Sequence, residues 1–588
     1  MPALIVMSSA LSCQRDGSRA VPQPSRKSEA TAETGRGAPA ISQPGAPAAP
    51  EIRPRFVDVA KSSGVVFERF SDVVPGRFFL PEIMGGGVGW FDYDGDGRLD
   101  LYVVNGCRLD NPDLSQTKYV NRLYRNEGNG SFSDATLSCG ALENGYGQGC
   151  AVGDFNADGF PDLYVTNFGR NSLLQNNGDG TFSEVGSRAG VDDASWGTGA
   201  VWLDLDGDSD LDLYVVNYLD LHAGNRKVCE YNGKKGYCGP GSYRAKADRV
   251  YRNQNDGTFV ESAHRLGTEA ADGKGLAVVA ADFDDDRRPE IYVANDMTAN
   301  FLFTRTRDSA DGPPPKQPFR NVAQAAGCAV SRGGRNEASM GIACADFDGD
   351  GLIDIFLTHY YQAKNTLYRN RGSLVFDDDS RRSRVAATSF GTLGFGTAAF
   401  DYDRDGANDL FIANGHVLGP DHEPFAMKPQ LLRNDGTGRF DDVSPFAGAY
   451  FLDRFVGRGV GTADYDNDGD VDLAVNHLNR PMSLLRNETE TGRHFLGLHL
   501  KTAARMPAVG GRVVLSVGNQ KRVVTLTSGG SYLSSSDSRL LVGLGDSSGP
   551  VDVEVRWPSG KLEQFPGLQP DRYWLLIEEN PSTPFSVP

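Results

Sequence analysis

The chain has 588 residues, a formal net charge of −18, and no apolar run approaching the roughly 18 residues that a membrane-spanning helix needs. Its 71 glycines and 10% aromatic residues are typical of many short strands joined by tight turns, and its length allows two structured domains. The acidic balance argues against a nucleic-acid partner, because phosphate groups favour clustered Lys and Arg.

The N-terminal residues 1–13 are mostly apolar and end at Cys13, as a bacterial lipoprotein signal does, although the segment is short and lacks a basic start. Lipidation of Cys13 is one interpretation; an ordinary cleaved signal and a mis-assigned start are the alternatives. Residues 14–52 are rich in Pro, Ala, Ser and Gly without apolar periodicity, so they cannot bury enough surface to fold. We expect them to form a disordered linker.

An acidic pattern of nine residues, D-x-D-x-D-G-x-x-D, recurs seven times along the chain. The copies, which we call loops 1 to 7 with positions 1 to 9, begin at Asp92, Asp154, Asp204, Asp282, Asp346, Asp401 and Asp464. Their spacing of roughly 50 to 80 residues is the length of one propeller blade with variable insertions. The repeat therefore predicts a β-propeller.

Each acidic loop has the same flanking segments. A Gly falls five residues before position 1 in six of the seven copies, and an apolar strand follows position 9. Further along, the segment N-x-L-Y-R-N with G-x-G-x-F returns, first from Asn121 to Phe132. The repeating unit is thus strand, acidic hairpin, strand, strand, turn, strand.

The two ends of the repeat array complement each other. The outer-strand segment F-x-D-V-A appears at Phe56, ahead of any acidic loop, whereas no equivalent follows loop 7. Seven loops match seven such Phe positions only if the first strand completes the last blade, which closes the ring and removes exposed edges. We predict an all-β, seven-bladed β-propeller over residues 53–492 and a small β-rich domain over residues 493–580.

The acidic loops have the composition of calcium sites. Ca²⁺ takes six to eight oxygen ligands, and side chains at positions 1, 3, 5 and 9 with the carbonyl at position 7 can converge when Gly at position 6 allows a sharp bend. An EF-hand places a longer loop between helices, whereas these loops run directly into apolar strands. Cys and His do not recur at ligand spacing, which disfavours zinc. We predict up to seven Ca²⁺ ions.

The predicted ligands, loop by loop, are Asp92, Asp94, Asp96, Arg98 and Asp100; Asp154, Asn156, Asp158, Phe160 and Asp162; Asp204, Asp206, Asp208, Asp210 and Asp212; Asp282, Asp284, Asp286 and Glu290; Asp346, Asp348, Asp350, Leu352 and Asp354; Asp401, Asp403, Asp405, Ala407 and Asp409; Asp464, Asp466, Asp468, Asp470 and Asp472.

The loops also explain the acidity of the chain. Positions 1, 3, 5 and 9 hold 27 of the 77 acidic residues, and without these 27 the chain would have 50 acids against 59 bases. Seven Ca²⁺ ions would bring the net charge to about −4. An acidic, solvated turn without metal is the alternative for any single loop. Loop 4, with Arg287 where Gly is expected, Arg288 beside it and Glu290 at position 9, is as consistent with no ion as with one.

Two segments resemble known families. Residues 56–490, through the loops and their flanks, resemble the FG-GAP/VCBS repeats of integrin α-subunit propellers and their bacterial relatives. Residues from about 494 to 578, through GGRVVLSVG, GGSYLSSSD, GLGD and VEVRWPSGK, resemble the ASPIC/UnbV domain. Together they resemble the cartilage acidic protein-like family, which implies calcium binding and an extracytoplasmic location. No EGF-like calcium module follows, so the implication of matrix adhesion is weaker.

The cysteines and one serine run allow two interpretations each. Cys229 and Cys238 lie in a long insertion that a local disulfide would staple, and Cys139 with Cys150 and Cys328 with Cys344 are further candidate pairs. Free buried thiols are the alternative for the inner-strand cysteines. Residues 534–537 (SSSD) could bind a polar ligand, although a hydrogen-bonded turn is the expected role.

Catalytic motifs such as G-x-S-x-G and H-E-x-x-H do not occur. If the acidic loops share one face, the strands after them deliver polar residues to the opposite face near the axis, where propellers often bind ligands: Asn295, Asp296, His359, Asn414 and His416. Capping of strand ends is the alternative. We interpret the chain as a secreted, periplasmic or cell-surface calcium-binding module for adhesion or binding to a protein or glycan. A calcium-dependent polysaccharide lyase or hydrolase is the alternative.

Overall fold

Seven sheets of matching topology account for most of the strands in the computed structural model, which describes residues 50–110, 117–306, 317–518, 520–580 and 583–584. In each sheet the acidic loop joins the innermost strand to the second strand, and a third and a fourth strand follow outward. The prediction of an all-β propeller is confirmed. Cys13 and residues 14–49 of the predicted linker lie outside the described residues.

The strands of these blades, from the innermost outward, are Val88–Phe91, Asp100–Val103, Arg122–Asn126 and Phe132–Asp134 in blade 1; Gly147–Gly153, Asp162–Asn167, Ser172–Asn176 and Phe182–Glu184 in blade 2; Gly197–Leu203, Asp212–Asn217, Arg249–Asn253 and Phe259–Glu261 in blade 3; Gly275–Ala281, Glu290–Asn295, Phe301–Arg305 and Phe319–Asn321 in blade 4; Ile342–Ala345, Asp354–Leu357, Thr366–Asn370 and Phe376–Asp378 in blade 5; Gly394–Phe400, Asp409–Asn414, Gln430–Asn434 and Phe440–Asp442 in blade 6; and Gly457–Ala463, Asp472–His477, Ser483–Asn487 and Phe56–Asp58 in blade 7.

The ring closes between the two ends of the repeat array. The first strand pairs antiparallel with the third strand of blade 7, with Phe56 opposite Asn487. The innermost strand of blade 7 contacts those of blades 6 and 1, so the inner strands form a circuit. The predicted pairing of Phe56 with the last blade is confirmed, and it removes an exposed sheet edge.

Aromatic pairs join neighbouring blades. The position-2 aromatic of a loop packs against the recurring Phe on the outer strand of the next blade, with ring centroids 5.7 Å apart for Phe155 and Phe259 and 5.5 Å apart for Phe347 and Phe440. Such pairs add about 0.5–1.5 kcal/mol beyond their buried area. The recurring Phe of G-x-G-x-F is therefore an inter-blade contact.

Helical segments are short and connect strands. The α-helical turns are Gly186–Ala189, Ala263–Leu266, Ala323–Ala326 and Val385–Ser389, and the 3₁₀ turns are Leu80–Ile83, Ala223–Asn225, Pro240–Ser242, Ser444–Phe446 and Ala449–Leu452. An insertion in blade 3 adds a hairpin formed by Val228–Tyr231 and Lys234–Tyr237. Within the described residues, no helix is long and apolar enough to cross a membrane.

The C-terminal domain consists of two four-stranded sheets and one short strand that joins the propeller. Its strands are His494–Lys501, Arg512–Val517, Gln520–Thr525, Ser528–Gly529, Leu540–Gly545, Val551–Arg556, Leu562–Leu568, Tyr573–Ile577 and Thr583–Pro584. Apolar side chains from both sheets share one core, which includes the fully buried Trp557. The domain and the propeller belong to one compact unit.

Candidate metal sites on the loop face

All seven acidic loops adopt one backbone conformation. Positions 4 and 6 have positive φ in every loop, and position 6 ranges from 68° at Ser209 to 94° at Gly159. A left-handed conformation suits Gly and costs other residues roughly 1–2 kcal/mol. Ser209 and Arg287 nevertheless adopt it, so loops 3 and 4 keep the loop geometry without the expected Gly.

Main-chain N–H groups orient the position-1 carboxylate. The N–H of position 6 donates to the position-1 side chain in all seven loops, as from Gly97 to Asp92 at 2.9 Å and from Gly351 to Asp346 at 2.7 Å. The left-handed bend brings this N–H back toward the start of the loop. Loop geometry thus gathers the carboxylates that the sequence predicts as ligands.

The carboxylates of single loops converge closely enough to hold one cation. One oxygen each from Asp204, Asp206 and Asp212 lies within 4.8 Å of the others, and the same holds in loops 1, 4, 5 and 6. Asp206 and Asp348 each have a buried carboxylate oxygen that accepts no hydrogen bond. Unpaired buried oxygens of this kind suit a hard divalent cation, so the residues present fit a metal ion.

Buried position-9 carboxylates anchor each loop to its blade. In loop 1, Asp100 accepts hydrogen bonds from the main-chain N–H of Tyr93 at 3.1 Å and of Asn126 at 2.7 Å. Burial raises the pKa of Asp100 to about 8, and it does the same for Asp162 and Asp212. The raised pKa values report the cost of burying a charged carboxylate, to which the neighbouring loop carboxylates add, and a bound cation would offset it.

Two residues of the N-x-L-Y-R-N segment complete the sites, and sequence reasoning missed both roles. The Arg reaches the loop of its own blade: Arg125 lies 2.6 Å from Asp94 and 2.9 Å from Asp96, and Arg369 lies 3.3 Å from Asp348. The following Asn donates through its side chain to the position-2 carbonyl of the preceding loop, as from Asn126 to Tyr465 at 2.9 Å. The recurrence of R-N after five of the seven loops was the available signal.

This asparagine contact repeats around the ring. Six blades contain it, at distances of 2.8–3.0 Å. In blade 4, where the Asn is absent, Arg305 donates instead to the carbonyl of Asp206 in loop 3 at 3.0 Å. The contacts thus tie every acidic loop to its neighbouring blade.

Loop 4 differs from the others in charge and not in shape. Its carboxylates Asp282, Asp284 and Glu290 converge as those of loop 3 do. Arg288 pairs with Asp286 at 3.1 Å, and Arg556 of the C-terminal domain lies 3.5 Å from Asp282. The expectation that loop 4 is the weakest site therefore depends on these cations.

The C-terminal domain covers the loop face. Five of its arginines donate to main-chain carbonyls within the loops: Arg493 to Asp403, Arg512 to Gly351, Arg522 to Asp405, Arg539 to Asp464 and Arg556 to Asp285, at 2.7–3.4 Å. Tyr573 also donates a hydrogen bond to the Asp464 carboxylate at 2.6 Å. The covered loops 4 to 7 are consecutive around the ring.

A segment of the C-terminal domain enters the channel along the propeller axis, and we call residues 527–538 the plug. Ser528–Gly529 pairs with the innermost strand of blade 4, and Ser531 exchanges two main-chain hydrogen bonds with Ile342 of blade 5. Leu533 and Ser535 accept from the N–H groups of Cys150 and Trp90. The SSSD run is therefore part of the plug, and its hydroxyls bond the inner strands.

The plug crowds two of the six recurring Gly residues ahead of the loops, whereas a Cβ at the other four would first meet the next blade. A Cβ at Gly87 would lie 2.0 Å from the carbonyl oxygen of Leu533, and a Cβ at Gly149 would lie 2.7 Å from the same atom. A cavity of about 520 Å³ remains between the inner strands, the loops and the C-terminal domain, and Lys501 and His499 contribute to its wall. The channel is thus largely filled by the protein itself.

The polar residues predicted to line the opposite face are buried there. Asn295, His359 and Asn414 are at most 1% exposed, and His416 is 5% exposed. Asp296 accepts a hydrogen bond from Tyr218 of the blade 3 insertion at 2.6 Å. An apolar cluster that includes Tyr218 and Tyr237 packs over this end of the axis. These side chains cap strands and turns in the structure, as the alternative interpretation expects.

The cysteines divide into one disulfide and five free thiols among the described residues. Cys229 and Cys238 form the disulfide that closes the blade 3 hairpin. Cys139, Cys150, Cys328 and Cys344 are free and pack among apolar side chains between blades, so the two further candidate pairs are wrong. Cys in such positions behaves as a small apolar residue.

Two family models match the chain. A model described as FG-GAP-like repeat matches residues 92–165, 154–215, 238–293, 346–412 and 401–475, which together make up more than half of the chain. A model described as ASPIC and UnbV matches residues 501–583.

Curated relatives include cartilage acidic protein 1 from two animals. The protein of Xenopus tropicalis is 26% identical over 330 residues, which is 54% of this chain and 46% of the relative. The protein of Homo sapiens is 26% identical over 401 residues, which is 58% of each chain. The chain spans about half the length of the curated relatives it matches.

Solved structures with similarity include two carbohydrate-related proteins. One is a lectin of Agrocybe aegerita that recognises non-reducing terminal N-acetylglucosamine; it is 14% identical, with a TM-score of 0.32, over 69% of this chain and 90% of that chain. The other is the rhamnogalacturonan lyase YesW, 12% identical with a TM-score of 0.31 over 78% of this chain and 91% of that chain.

Proposed function

Because the chain belongs to the family of FG-GAP-like repeat proteins that carry an ASPIC and UnbV domain, we propose that it is a calcium-binding β-propeller acting outside the cytoplasm as a binding or scaffold module. The main support for this proposal is that all seven acidic loops keep one backbone conformation. This includes loops 3 and 4, where Ser209 and Arg287 occupy a position that suits Gly.

Calcium is the proposed ion because the loops offer only oxygen ligands. Carboxylates and a main-chain carbonyl suit hard cations, and Ca²⁺ tolerates irregular geometry and high coordination numbers better than Mg²⁺ does. In the proposed sites, positions 1, 3, 5 and 9 hold the ion through side chains and position 7 through its carbonyl. The ion would supply positive charge that fixes the loop.

Calcium stoichiometry tests this proposal. Protein stripped with a chelator and then dialysed against micromolar calcium should retain between five and seven ions per chain by mass spectrometry of the metal. Retention of none, with the protein folded, would show that the loops are acidic turns.

We propose binding rather than catalysis. The loop carboxylates are committed to metal and to main-chain N–H groups, and His359 and His416 are buried in the protein. A nucleic-acid partner is not expected for so acidic a chain. The Cys229–Cys238 disulfide supports an oxidising compartment, and lipidation of Cys13 would add an anchor.

The partner, a protein or a glycan, is proposed to bind the face opposite the loops, because the C-terminal domain covers the loop face. The disulfide-closed hairpin lies on that opposite side, where Tyr237 donates to Glu82 at 2.7 Å, and it exposes Lys234 and Lys235 at its tip. A glycan array probed with the calcium-loaded protein and with Lys234→Ala/Lys235→Ala should show binding that the variant weakens. Equal binding by both proteins would place the glycan site elsewhere.

A further inference from the structure

Loop 6 differs from the other acidic loops in how closely the C-terminal domain encloses it. The position-3 side chain Asp403 is 1% exposed, whereas the equivalent Asp94, Asp206 and Asp348 are 16–22% exposed. One buried carboxylate oxygen of Asp403 accepts no hydrogen bond and has the Arg433 Nε at 3.5 Å. The loop 6 site therefore combines converging carboxylates with a position-3 carboxylate that is shielded from solvent.

Three contacts from the C-terminal domain surround this site. Arg493 donates to the Asp403 carbonyl at 3.0 Å and lies 3.1 Å from its carboxylate. Arg522 donates to the carbonyl of Asp405 at 2.9 Å, and its guanidinium fills the space above Gly406, where a Cβ would lie 1.2 Å from it. These two arginines cover two sides of the loop.

The third contact is a backbone approach. Gly543 lies so close to Asp401 that a Cβ at this glycine would fall 2.1 Å from the Asp401 carboxylate. Two residues later, the N–H of Gly545 donates to the carbonyl of Arg404 at 2.9 Å. The strand Leu540–Gly545 of the C-terminal domain is thus laid directly on the ligand residues of loop 6.

An ion held by loop 6 could leave only after these contacts separate. The same domain carries the plug, whose Gly530, Ser531 and Ser535 N–H groups bond inner strands of three blades. Because the cover and the plug belong to one compact domain, separation at loop 6 strains or withdraws the plug as well. Within the described ranges, loops 1 and 3 make no hydrogen bond to the C-terminal domain.

We infer that the C-terminal domain is a lock on the loop 6 metal site: the calcium ion there is trapped beneath the docked domain, and its exchange is limited by undocking. This inference rests on the proposed calcium function and extends it to two kinetic classes of site. Loops 1 and 3 exchange calcium freely, and loop 6 exchanges it slowly.

Release kinetics of the full-length, calcium-loaded protein test the inference. Mixing with a fluorescent calcium chelator in a stopped-flow instrument should give a fast phase of several ions and a slow phase of at least one ion, at least tenfold slower. Asp403→Asn should abolish one ion of the slow phase, whereas the matched Asp94→Asn in loop 1 should remove one ion from the fast phase. Release in one phase, or a slow phase unchanged by Asp403→Asn, would overturn the lock.

A second pair of variants tests the cover without altering a ligand. Arg522→Met removes the guanidinium above Gly406 and should accelerate the slow phase at least fivefold. Lys521→Met, at an exposed residue of the same domain, should leave the slow phase unchanged. Equal rates in Arg522→Met and the parent protein would contradict the inference.

Hydrogen exchange in the parent protein supplies a readout that needs no variant. After chelation, the amides of residues 527–538 should lose protection with the rate constant of the slow phase. Loss of protection in the fast phase would contradict the coupling of plug and lock. A protein that binds no calcium would refute the proposed function itself, whereas calcium that leaves in a single phase would refute only the lock.

Discussion

The side-chain amide of Asn370 in blade 5 donates a 2.8 Å hydrogen bond to the main-chain carbonyl of Phe283 in loop 4. The same amide bonds the carbonyl of Ile353 at 3.0 Å, and its oxygen accepts from Gly372. Asn370→Ala should lower the free energy of unfolding by about 2–4 kcal/mol, because buried main-chain groups lose their partners. Urea unfolding checks this, with the exposed Asn177→Ala as the near-neutral control; equal effects would contradict it.

Calcium removal should destabilise the whole propeller. An ion that binds only the folded protein stabilises it by about 2.7 kcal/mol when its concentration is a hundredfold above its Kd. The stabilising free energies of several sites add together. EDTA should therefore lower the Tm markedly, and excess calcium should restore it. An unchanged Tm in a sample shown to be free of metal would contradict the calcium proposal.

Single loops should differ in their contribution. Asp348→Asn removes a ligand from loop 5, where one oxygen of this carboxylate accepts no hydrogen bond, and should eliminate one bound calcium. Asp284→Asn should reduce the amount of bound calcium less than Asp348→Asn does, because Arg287, Arg288 and Arg556 already offset the charge of loop 4. Metal analysis at micromolar calcium compares the two, and the exposed turn variant Asp179→Asn is the control. Equal losses from loops 4 and 5 would show that the ranking is wrong.

Ring closure should depend on the first strand. Phe56 is 2% exposed and lies opposite Asn487, so deletion through residue 62 removes the outer strand of blade 7 and exposes a sheet edge. We expect aggregation or loss of the cooperative transition. A chain that begins at residue 50 keeps these contacts and should unfold like the parent protein. Cooperative, monomeric behaviour of the longer deletion would contradict the role of this strand.

Asp248 should make stability depend on pH. Burial raises its pKa to about 7, while Tyr214 and Asn217 donate hydrogen bonds to it. The unfolded chain ionises near pH 4, so the stability that the protonated carboxyl provides is complete below pH 4 and is lost as pH rises to about 7. Asp248→Asn should therefore gain stability relative to the parent protein between pH 5 and pH 8, by up to about 3 kcal/mol. Urea unfolding at saturating calcium measures this; a pH-independent difference would contradict it.

The plug should tolerate no added side chain at Gly149 of the inner strand of blade 2. A Cβ at Gly149 would approach Leu533 within 2.7 Å, so Gly149→Ala should displace the plug and destabilise the protein by about 1–3 kcal/mol. Gly391→Ala, where no atom lies within 4 Å of the added Cβ, serves as the control. Thermal melts compare them, and matching Tm values would argue that the plug adapts.

The features that could be predicted from the sequence are those that repeat from blade to blade. The acidic pattern identified every loop, and the unmatched Phe56 identified the closing strand. The R-N pairs also recur, so the inter-blade role of Asn126 and its equivalents was available from the sequence and was missed.

Contacts that do not repeat around the ring could not be predicted from the sequence. Arg493, Arg522 and Gly543 occupy no periodic positions, and their meeting with loop 6 depends on how two domains pack. The burial of His359 and His416 likewise depends on the blade 3 insertion, which has no counterpart in the other blades.

The pairing of the first strand, Phe56–Asp58, with blade 7 also sets the order of folding events during synthesis. Arg55 donates its N–H to Thr489, a residue 434 positions later, so the ring cannot close until nearly the whole repeat array has left the ribosome. At 5–20 residues per second, the first strand waits about 20 to 90 s for its partner. The plug follows residues 483–487 in the chain, so it enters the channel of a ring that has only just become complete.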